Sequence, residues 1–277
     1  QVSRDGTRKY VLGLADGCLV ETVGIPSLTT KSGTQHLTVC FSTQVGCAMA
    51  CSFCATGQEG LTRNLSSTEM VEQIRVVQKD FGIRVSNVVS MGQGEPFQNY
   101  DAVIEALRFL NANKAFGIGA RHITLSTCGI LAGIERLSNE PEQFTLAVSL
   151  HSANQELRNS IMPRCKNQPL GKLKQALLEY VTKTGRRPSL EYTMIAGTND
   201  SDKDLHELVE FTQGLLCHVN FIPLNNVPDS PFKPCKPETY KRWIRALGMH
   251  GVEATLRNSR GSDIDGACGQ LKNTLAK

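Results

Sequence analysis

The sequence has few aromatic residues and no long apolar run. Phe, Tyr and Trp make up 6% of the 277 residues, and there is one Trp. No apolar stretch approaches the roughly 20 residues of a membrane-spanning helix, so we expect no membrane partner. Low-complexity segments are also missing, and 40% of the residues are hydrophobic. These properties exclude collagen-like and disordered proteins and predict a globular chain.

Blocks of like charge are missing too. Thirty Lys and Arg residues against 26 Asp and Glu residues give a net charge of +4, which is compatible with a polyanionic partner but does not require one. The chain opens at Gln1, without Met or a signal peptide, and we expect it to be a fragment of a longer protein. Charge alone leaves the partner open.

Cysteine, in contrast, is abundant. The chain has ten, which is a notable number for this length but fewer than a small disulfide-stapled scaffold would use. Three of them, Cys47, Cys51 and Cys54, fall within eight residues. This crowding predicts a metal site in a protein of a reducing compartment such as the cytoplasm.

Helical and strand periodicities alternate along most of the chain. Ser66 and Glu69 form a capping-box pair before a helical pattern that reaches Phe81. Roughly six β-then-α units follow from the first strand at Leu37–Ser42, so the class is α/β with parallel strands, as a barrel or an open doubly wound sheet. Residues 1–35 predict a β-hairpin extension, and residues 36–277 predict the core domain.

Polar and glycine-rich segments follow several predicted strands. They are Cys47, Gly92–Pro96, Ser126, Ser149–His151 and Asn225. Functional residues of parallel α/β proteins gather beyond the carboxyl ends of the strands. We therefore expect one shared pocket.

The segment Cys47-Ala-Met-Ala-Cys51-Ser-Phe-Cys54 has the spacing Cys-x3-Cys-x2-Cys. Structural zinc nearly always needs four protein ligands, and no second Cys or His pair follows at finger spacing. An iron–sulfur cluster uses one thiolate per iron, so three thiolates would leave one iron of a four-iron cluster open. The alternative is that the three cysteines are small buried hydrophobic residues.

This spacing after a first strand resembles the radical S-adenosylmethionine (SAM) superfamily, whose members cleave SAM reductively at an open iron. More narrowly, the chain resembles the dual-specificity adenine carbon-2 RNA methyltransferases of the RlmN family. The motifs that resemble them are Cys40-Phe-Ser-Thr-Gln-Val-Gly-Cys47, Cys51-Ser-Phe-Cys54-Ala-Thr-Gly, Met91-Gly-Gln-Gly-Glu-Pro96, Ser149-Leu-His151 and Ser259-Arg-Gly-Ser-Asp-Ile-Asp-Gly-Ala-Cys268-Gly-Gln-Leu271. Together they span nearly the whole chain and imply a partial (β/α)6 barrel.

The resemblance implies a role for each matching residue. Cys47, Cys51 and Cys54 would bind a [4Fe-4S] cluster. SAM, two molecules per turnover, would be bound by Gly94, Glu95, Ser126, Ser149, Leu150, His151 and Asn225. Cys268 would be the cysteine that carries the methyl group, Cys40 the cysteine that resolves the RNA adduct, and Glu21 the proton acceptor.

Plainer interpretations exist for four of these positions. The Gly92–Gly94 stretch alone fits an ordinary tight turn. His151 at a strand end fits a structural histidine, and Glu21 on a hairpin fits a solvated surface residue. Cys40, at a buried strand position, fits an inert small hydrophobe.

The resemblance also implies partners. These are 23S ribosomal RNA and tRNA, with the target adenine unpaired or extruded, and a reducing electron donor such as flavodoxin or ferredoxin. We expect a monomer. The residues that contact RNA cannot be named from the sequence, since Lys and Arg are scattered and no aromatic platform is evident.

Two rival functions remain open. A sister activity methylates carbon 8 of the same ribosomal adenosine with the same cluster and cysteines; Pro96 favours the carbon-2 group, because the sister enzymes tend to have Ala there. The second rival is a non-enzymatic iron–sulfur or zinc RNA-binding protein, which gives Cys268 no role.

The chain departs from the RlmN pattern in two places. Gln93 stands where the family usually has Met, beside the expected SAM-binding pair. The family's N-terminal helical RNA-binding region has no counterpart in this chain.

Overall fold

The computed structural model describes residues 1–27, 35–227 and 230–273. The strands in these ranges are β1 (Arg8–Gly13), β2 (Leu19–Ser27), β3 (His36–Cys40), β4 (Gln44–Gly46), β5 (Leu61–Asn64), β6 (Val85–Ser90), β7 (Ile123–Thr127), β8 (Thr145–Ser149), β9 (Ser189–Met194), β10 (His218–Pro223) and β11 (Glu253–Leu256). The helices are α1 (Ala55–Glu59), α2 (Ser67–Phe81), α3 (Tyr100–Asn111), α4 (Leu131–Ser138), α5 (Gln155–Ile161), α6 (Leu170–Thr184), α7 (Asp202–Thr212) and α8 (Pro237–Met249). None of these helices has the length and apolar character that crossing a lipid bilayer requires.

Nine of the described strands form one sheet in the order β1-β2-β3-β6-β7-β8-β9-β10-β11. The seven strands from β3 to β11 in that order are mutually parallel, and one of the helices α2, α3, α4, α6, α7 and α8 follows each of the first six. The predicted α/β class with six β-then-α units is confirmed. In the described residues β1 and β11 are the two edges, so the sheet does not close into a full barrel.

Helix α2 begins as its sequence predicts. The Ser66 hydroxyl accepts a hydrogen bond from the Glu69 backbone N–H at 3.2 Å, and the Glu69 carboxylate accepts one from the Ser66 N–H at 2.8 Å. This pair satisfies two N–H groups that a helix start otherwise leaves unpaired. One face of α2, with Met70, Ile74 and Val77 fully buried, then packs into the core.

The only Trp anchors the far end of the sheet. Trp243 on α8 is fully buried, and its ring lies 5.6 Å from the Tyr192 ring and 5.9 Å from the Phe221 ring, measured between centroids. These separations are typical of favourable tilted and edge-to-face aromatic contacts. This packing fixes strands β9 and β10 on the side of the sheet that α8 covers.

The N-terminal residues form the predicted hairpin. Strands β1 and β2 pair antiparallel, with Lys9 opposite Val23 and Val11 opposite Glu21. Strand β2 also pairs antiparallel with β3. The hairpin therefore extends the core sheet by two strands at the edge where Cys40 lies.

Candidate active site

A cavity lies at the carboxyl ends of the parallel strands, where the sequence predicts one pocket. Its unfilled space, with the open mouth included, is about 930 Å³, within the range of clefts that bind small molecules (roughly 300–1,000 Å³). Ten of the thirteen predicted site residues line it: Cys47, Cys51, Cys54, Gly94, Glu95, Ser126, Ser149, His151, Asn225 and Cys268. The other three, Cys40, Glu21 and Leu150, lie outside its lining.

A small hairpin that the sequence does not predict closes the cysteine loop. Strands β4 and β5 pair antiparallel on either side of the loop, and the Cys47 N–H donates to the Gly60 carbonyl at 2.8 Å. Gly46 has a φ of +76°, and a Cβ there would lie 2.0 Å from the Gly60 oxygen. Only glycine fits so close an approach, so Gly46 allows the loop to fold back over the cavity.

The three loop cysteines suit an iron–sulfur cluster. All three are free thiols that line the same cavity. Burial raises the pKa of Cys47 to about 12 and also raises the pKa values of Cys51 and Cys54. A bound metal centre has the opposite effect, because it lowers the pKa of the thiols that bind it. Within the described ranges no three His, Cys, Asp or Glu side chains converge on a single-ion site. The sulfur ligands of a cluster lie farther apart than the ligands of a single ion, because each thiolate binds a different iron.

Glu95 is held at the cavity wall by backbone hydrogen bonds. Its carboxylate is buried and accepts from the Phe97 N–H at 3.0 Å and the Cys128 N–H at 2.7 Å. Burial raises the pKa of Glu95, and these N–H donors act in the opposite direction. An ionised carboxylate has about four lone-pair sites, so capacity remains for an ammonium donor from the cavity.

Gly94 brings the backbone close to the cysteine loop. Its φ is +103°, and a Cβ there would lie 2.7 Å from the Gln44 Cβ and 2.8 Å from the Thr43 hydroxyl oxygen. The next residue, Glu95, donates its N–H to the Gln44 side-chain oxygen at 2.8 Å. The glycine thus allows β4 to pack against the turn that presents Glu95, which is more than an ordinary tight turn needs.

The remaining predicted SAM contacts come from the ends of three strands, β7, β8 and β10. Ser126 and Ser149 line the cavity from β7 and β8, and Asn225 lines it from the segment after β10. Leu150 does not line it; its side chain is fully buried in the main core, and its backbone N–H donates to the Glu191 carbonyl at 3.0 Å. Its predicted contact would therefore have to come from backbone atoms.

His151 is a neutral, buried histidine in a strained backbone conformation. Its φ is +54°, and its Nδ1 accepts a hydrogen bond from the Thr193 N–H at 2.9 Å. Burial, with a contribution from the Arg158 guanidinium, lowers the pKa of His151 to about 3. Because Nδ1 is the acceptor, the proton lies on Nε2. The residue both supports β9 and lines the cavity, so its structural role leaves the predicted contact with SAM open to it.

We expect His151 to make stability depend on pH. Its folded pKa lies below the unfolded value of 6.5, so the unfolded chain binds more protons, and the stability present above pH 6.5 is lost as the pH falls. Between pH 7.5 and 5.5 the free energy of unfolding should drop by about 1–2 kcal/mol through this group. Urea unfolding followed by Trp243 fluorescence measures it.

The matched variants for this measurement are His151→Gln and His250→Gln, the latter at an exposed position. The first should weaken the pH dependence and the second should leave it as in the parent. Equal pH dependence in all three proteins would contradict a buried neutral His151.

Cys268 lies on a segment, residues 268–273, that is fastened to the cysteine loop. The Ala55 N–H at the start of α1 donates to the Gly269 carbonyl at 2.8 Å, and the Thr56 hydroxyl donates to the Leu271 carbonyl at 2.7 Å. The Asn225 amide donates to the carbonyl of Cys268 itself at 3.0 Å. A cysteine more than 200 residues away in sequence is thus held beside the three loop cysteines.

Cys40 faces a second cavity that adjoins the first. Both Cys40 and Cys268 line it, and Met91, Ile222 and Cys268 belong to the walls of both cavities. Burial and the neighbouring Cys268 thiolate raise the pKa of Cys40 to about 12, and the Arg257 charge opposes them. The structure thus places Cys268 between the space of the loop cysteines and the space of Cys40.

Glu21 is not the solvated residue that a hairpin position suggests. Its side chain is fully buried and pairs with the buried Lys9 ammonium at 3.2 Å, and its other oxygen accepts from the Lys272 N–H at 2.7 Å. The Gln93 side chain accepts from the Glu21 backbone N–H at 3.4 Å and donates to Asn273 at 2.8 Å. Glu21 and Gln93 therefore help to hold residues 268–273 in place.

Several residues that the sequence patterns did not indicate also line the first cavity, and two of them are polar residues of one strand. Glu191 and Thr193 lie within β9, whereas the strand-end rule points only to residues beyond the strands. Glu191 is buried and accepts from Ser189 at 2.6 Å and Asn220 at 2.8 Å. A carboxylate in the middle of a predicted strand was the available signal, because a buried charge is rare without a partner.

Comparisons with known proteins agree with this geometry. The family model of the Radical SAM superfamily matches residues 41–212. A protein of Synechococcus sp. named probable dual-specificity RNA methyltransferase RlmN is 46% identical over 99% of this chain and 77% of its own length. A protein of the same name from Moorella thermoacetica is 46% identical over 98% of this chain and 77% of its own length.

Solved structures extend the likeness to three dimensions. A radical SAM methyltransferase from Sphaerobacter thermophilus superposes with a TM-score of 0.92 at 46% identity, covering 98% of this chain and 79% of that one. SuiB of Streptococcus suis, solved with S-adenosylmethionine bound, superposes with a TM-score of 0.58 at 14% identity over 80% of this chain and 49% of its own. The second likeness concerns the fold alone.

Proposed function

This chain belongs to the RlmN family of the radical SAM superfamily, and on that basis we propose that it methylates carbon 2 of adenosine in 23S ribosomal RNA and in tRNA. It is a SAM-dependent RNA methyltransferase that uses a [4Fe-4S] cluster. The observation that supports the proposal best is the position of Cys268, which lies in the wall shared by the cavity of the three loop cysteines and the cavity of Cys40.

The chain has residues suited to bind both the cluster and SAM. Cys47, Cys51 and Cys54 would hold the cluster, and Glu95 would accept from the amino group of SAM by a charge-assisted hydrogen bond. When bound, the cluster and two SAM molecules supply a methyl group and a radical that removes a hydrogen atom from it. The other proposed contacts to SAM are Gly94, Ser126, Ser149, Leu150, His151 and Asn225.

Two thiols then perform the covalent chemistry. The Cys268 thiolate takes a methyl group from SAM by displacement, which is nucleophilic catalysis. Transfer through Cys268 is needed because carbon 2 of adenine is electron-poor. The electrophilic methyl group of SAM does not react with such a carbon directly. After the methyl carbon has bonded to the base, the Cys40 thiolate attacks the Cys268 sulfur and forms a disulfide, which releases the product.

Glu21 is proposed to accept the ring proton of the adenine. The buried Lys9 ammonium lies 3.2 Å from one oxygen of its carboxylate. Since the Lys272 N–H occupies the second oxygen of Glu21 at 2.7 Å, residues 271–273 must shift before a substrate proton reaches it. RNA binding is the natural cause of that shift.

The domain division, the electron donor and the oligomeric state are proposed on the basis of the same family membership. We propose residues 1–35 as an N-terminal β extension and residues 36–277 as the catalytic core. The electron donor is proposed to be a small reduced protein such as flavodoxin or ferredoxin, and the enzyme a monomer of the cytoplasm, where its RNA substrates and reduced thiols are found.

The decisive experiment is anaerobic turnover. The reconstituted protein is incubated with SAM, a reductant and either a 23S ribosomal RNA fragment or a tRNA transcript, and the nucleosides are analysed by mass spectrometry. We expect 2-methyladenosine together with 5′-deoxyadenosine. Finding 8-methyladenosine would assign the sister activity instead, and finding no 5′-deoxyadenosine would favour a non-enzymatic RNA-binding protein.

A further inference from the structure

Arg257 extends into the second cavity directly after β11. Its backbone N–H donates to the Phe221 carbonyl at 2.8 Å, which fixes the main chain against β10. Its guanidinium is half-buried, donates toward the Met91 sulfur at 3.2 Å and lines the cavity together with Cys40 and Cys268. No sequence motif singles this arginine out.

The charge of Arg257 has sulfur atoms as its principal partners. Among the described residues no carboxylate lies within ion-pair distance of its guanidinium, whereas Arg260 in the same cavity wall pairs with Asp5 at 3.1 Å. The thiolate of Cys268 is the largest cause that raises the pKa of Arg257, ahead of Glu191 and Cys40. Glu191 already accepts hydrogen bonds from Ser189 and Asn220.

We propose that Arg257 is a positioning residue that stabilises two thiolates in turn, first that of Cys268 and then that of Cys40. The inference rests on the proposed function. A thiolate, not a thiol, is the nucleophile in both steps, and a neighbouring cation raises its population. Arg suits the position because its charge is permanent and its planar group is weakly hydrated when half-buried.

The two steps balance once the radical adduct has lost the ring proton and one electron, which the oxidised iron–sulfur cluster would accept. In the first, the Cys268 sulfur forms a bond to the methyl carbon, the bond from that carbon to the SAM sulfonium breaks, and the thiol proton goes to solvent. In the second, the Cys40 sulfur bonds to the Cys268 sulfur, and the bond from Cys268 to the methyl-derived carbon breaks. Its electron pair passes to the product carbon, which takes a proton.

The order of the steps explains how one arginine serves both sulfurs. Before methyl acceptance the Cys268 thiolate competes for the guanidinium and also raises the pKa of Cys40. Once it bears a methyl group, Cys268 is neutral. The Arg257 charge then acts on Cys40 alone, at the stage where Cys40 must attack.

The first test compares Arg257→Met with Arg257→Lys in cluster-reconstituted protein. Without reductant, we measure S-methylation of Cys268 by SAM and, in a separate sample without SAM, alkylation of Cys268 by iodoacetamide, both by peptide mass spectrometry. Arg257→Met should slow both reactions by about 10- to 100-fold, because loss of the neighbouring cation lowers the population of the nucleophilic thiolate. Arg257→Lys keeps the charge and should stay within about threefold of the parent.

The second test isolates the step at Cys40. Protein purified with Cys268 already methylated is given SAM, reductant and RNA for one turnover. Arg257→Met should accumulate a covalent protein–RNA adduct that the parent resolves, an effect that a purely structural role would not produce. Arg260→Met removes a guanidinium already neutralised by Asp5 and should match the parent in both tests.

The outcomes separate this inference from the function on which it rests. If the parent forms methylated adenosine and Arg257→Met methylates and alkylates Cys268 at the parent rate, the inference is wrong. It is equally wrong if Arg257→Lys is as slow as Arg257→Met. A parent that never methylates RNA contradicts the proposed function, while iodoacetamide alkylation still tests the effect of Arg257 on Cys268.

Discussion

Replacing Cys268 with alanine is expected to lower RNA methylation by at least about a thousandfold, since no other nucleophile can accept the methyl group. The cluster should still form, because Cys47, Cys51 and Cys54 are unchanged. The side chain of Cys268 is half-buried, so we expect a loss of stability of only about 1 kcal/mol. Methylated nucleoside is measured by mass spectrometry, and cluster content by iron analysis and absorbance.

A matched control is Cys18→Ala, which removes another half-buried thiol from the turn of the N-terminal hairpin. It should retain full activity. Residual methylation in Cys268→Ala at a tenth of the parent rate or more would show that the methyl group takes another route, and the proposed mechanism would then be wrong.

The Cys40→Ala variant is expected to stop turnover at a later step than Cys268→Ala does, with RNA still covalently bonded to the enzyme. Methyl acceptance by Cys268 and bond formation to the base need no second thiol, but release requires a sulfur nucleophile in the adjoining cavity. A nuclease-sensitive protein–RNA band should therefore appear on a denaturing gel, and the Cys268 peptide should carry the mass of the methylene-linked nucleotide.

Two variants control this trapping experiment. Cys217→Ala removes a thiol that is equally buried but lies at the start of β10, outside both cavities, and it should resolve its product normally. The double variant Cys40→Ala/Cys268→Ala should give no adduct. Turnover by Cys40→Ala without a trapped species would remove Cys40 from the mechanism.

The sequence predicted the fold and most of the site because the relevant signals are local. The capping box at Ser66 and Glu69 and the alternation of strands and helices are short-range patterns. The close spacing of Cys47, Cys51 and Cys54 is equally visible, and the strand-end rule places Glu95 and His151 in one pocket. These features depend on neighbours in sequence, so they need no knowledge of tertiary contacts.

The features that escaped prediction depend on distant pairing. Strands β4 and β5 have only three and four residues, too few for a period to show. The burial of Glu21 follows from the hairpin register, which makes Lys9 its diagonal neighbour on the same face. The role proposed for Arg257 can be recognised only once the fold brings its side chain into the cavity that Met91, Cys40 and Cys268 line.

The proposed disulfide between Cys40 on β3 and Cys268 on residues 268–273 has a consequence for the enzyme between catalytic cycles. Each completed reaction would leave a covalent link that encloses most of the chain, and a loop of that length restricts the unfolded state by roughly 5 kcal/mol in the chain-entropy model. The spent enzyme would thus resist heat better than the enzyme ready to react, and the cell's thiol reductants would restore both its flexibility and its activity.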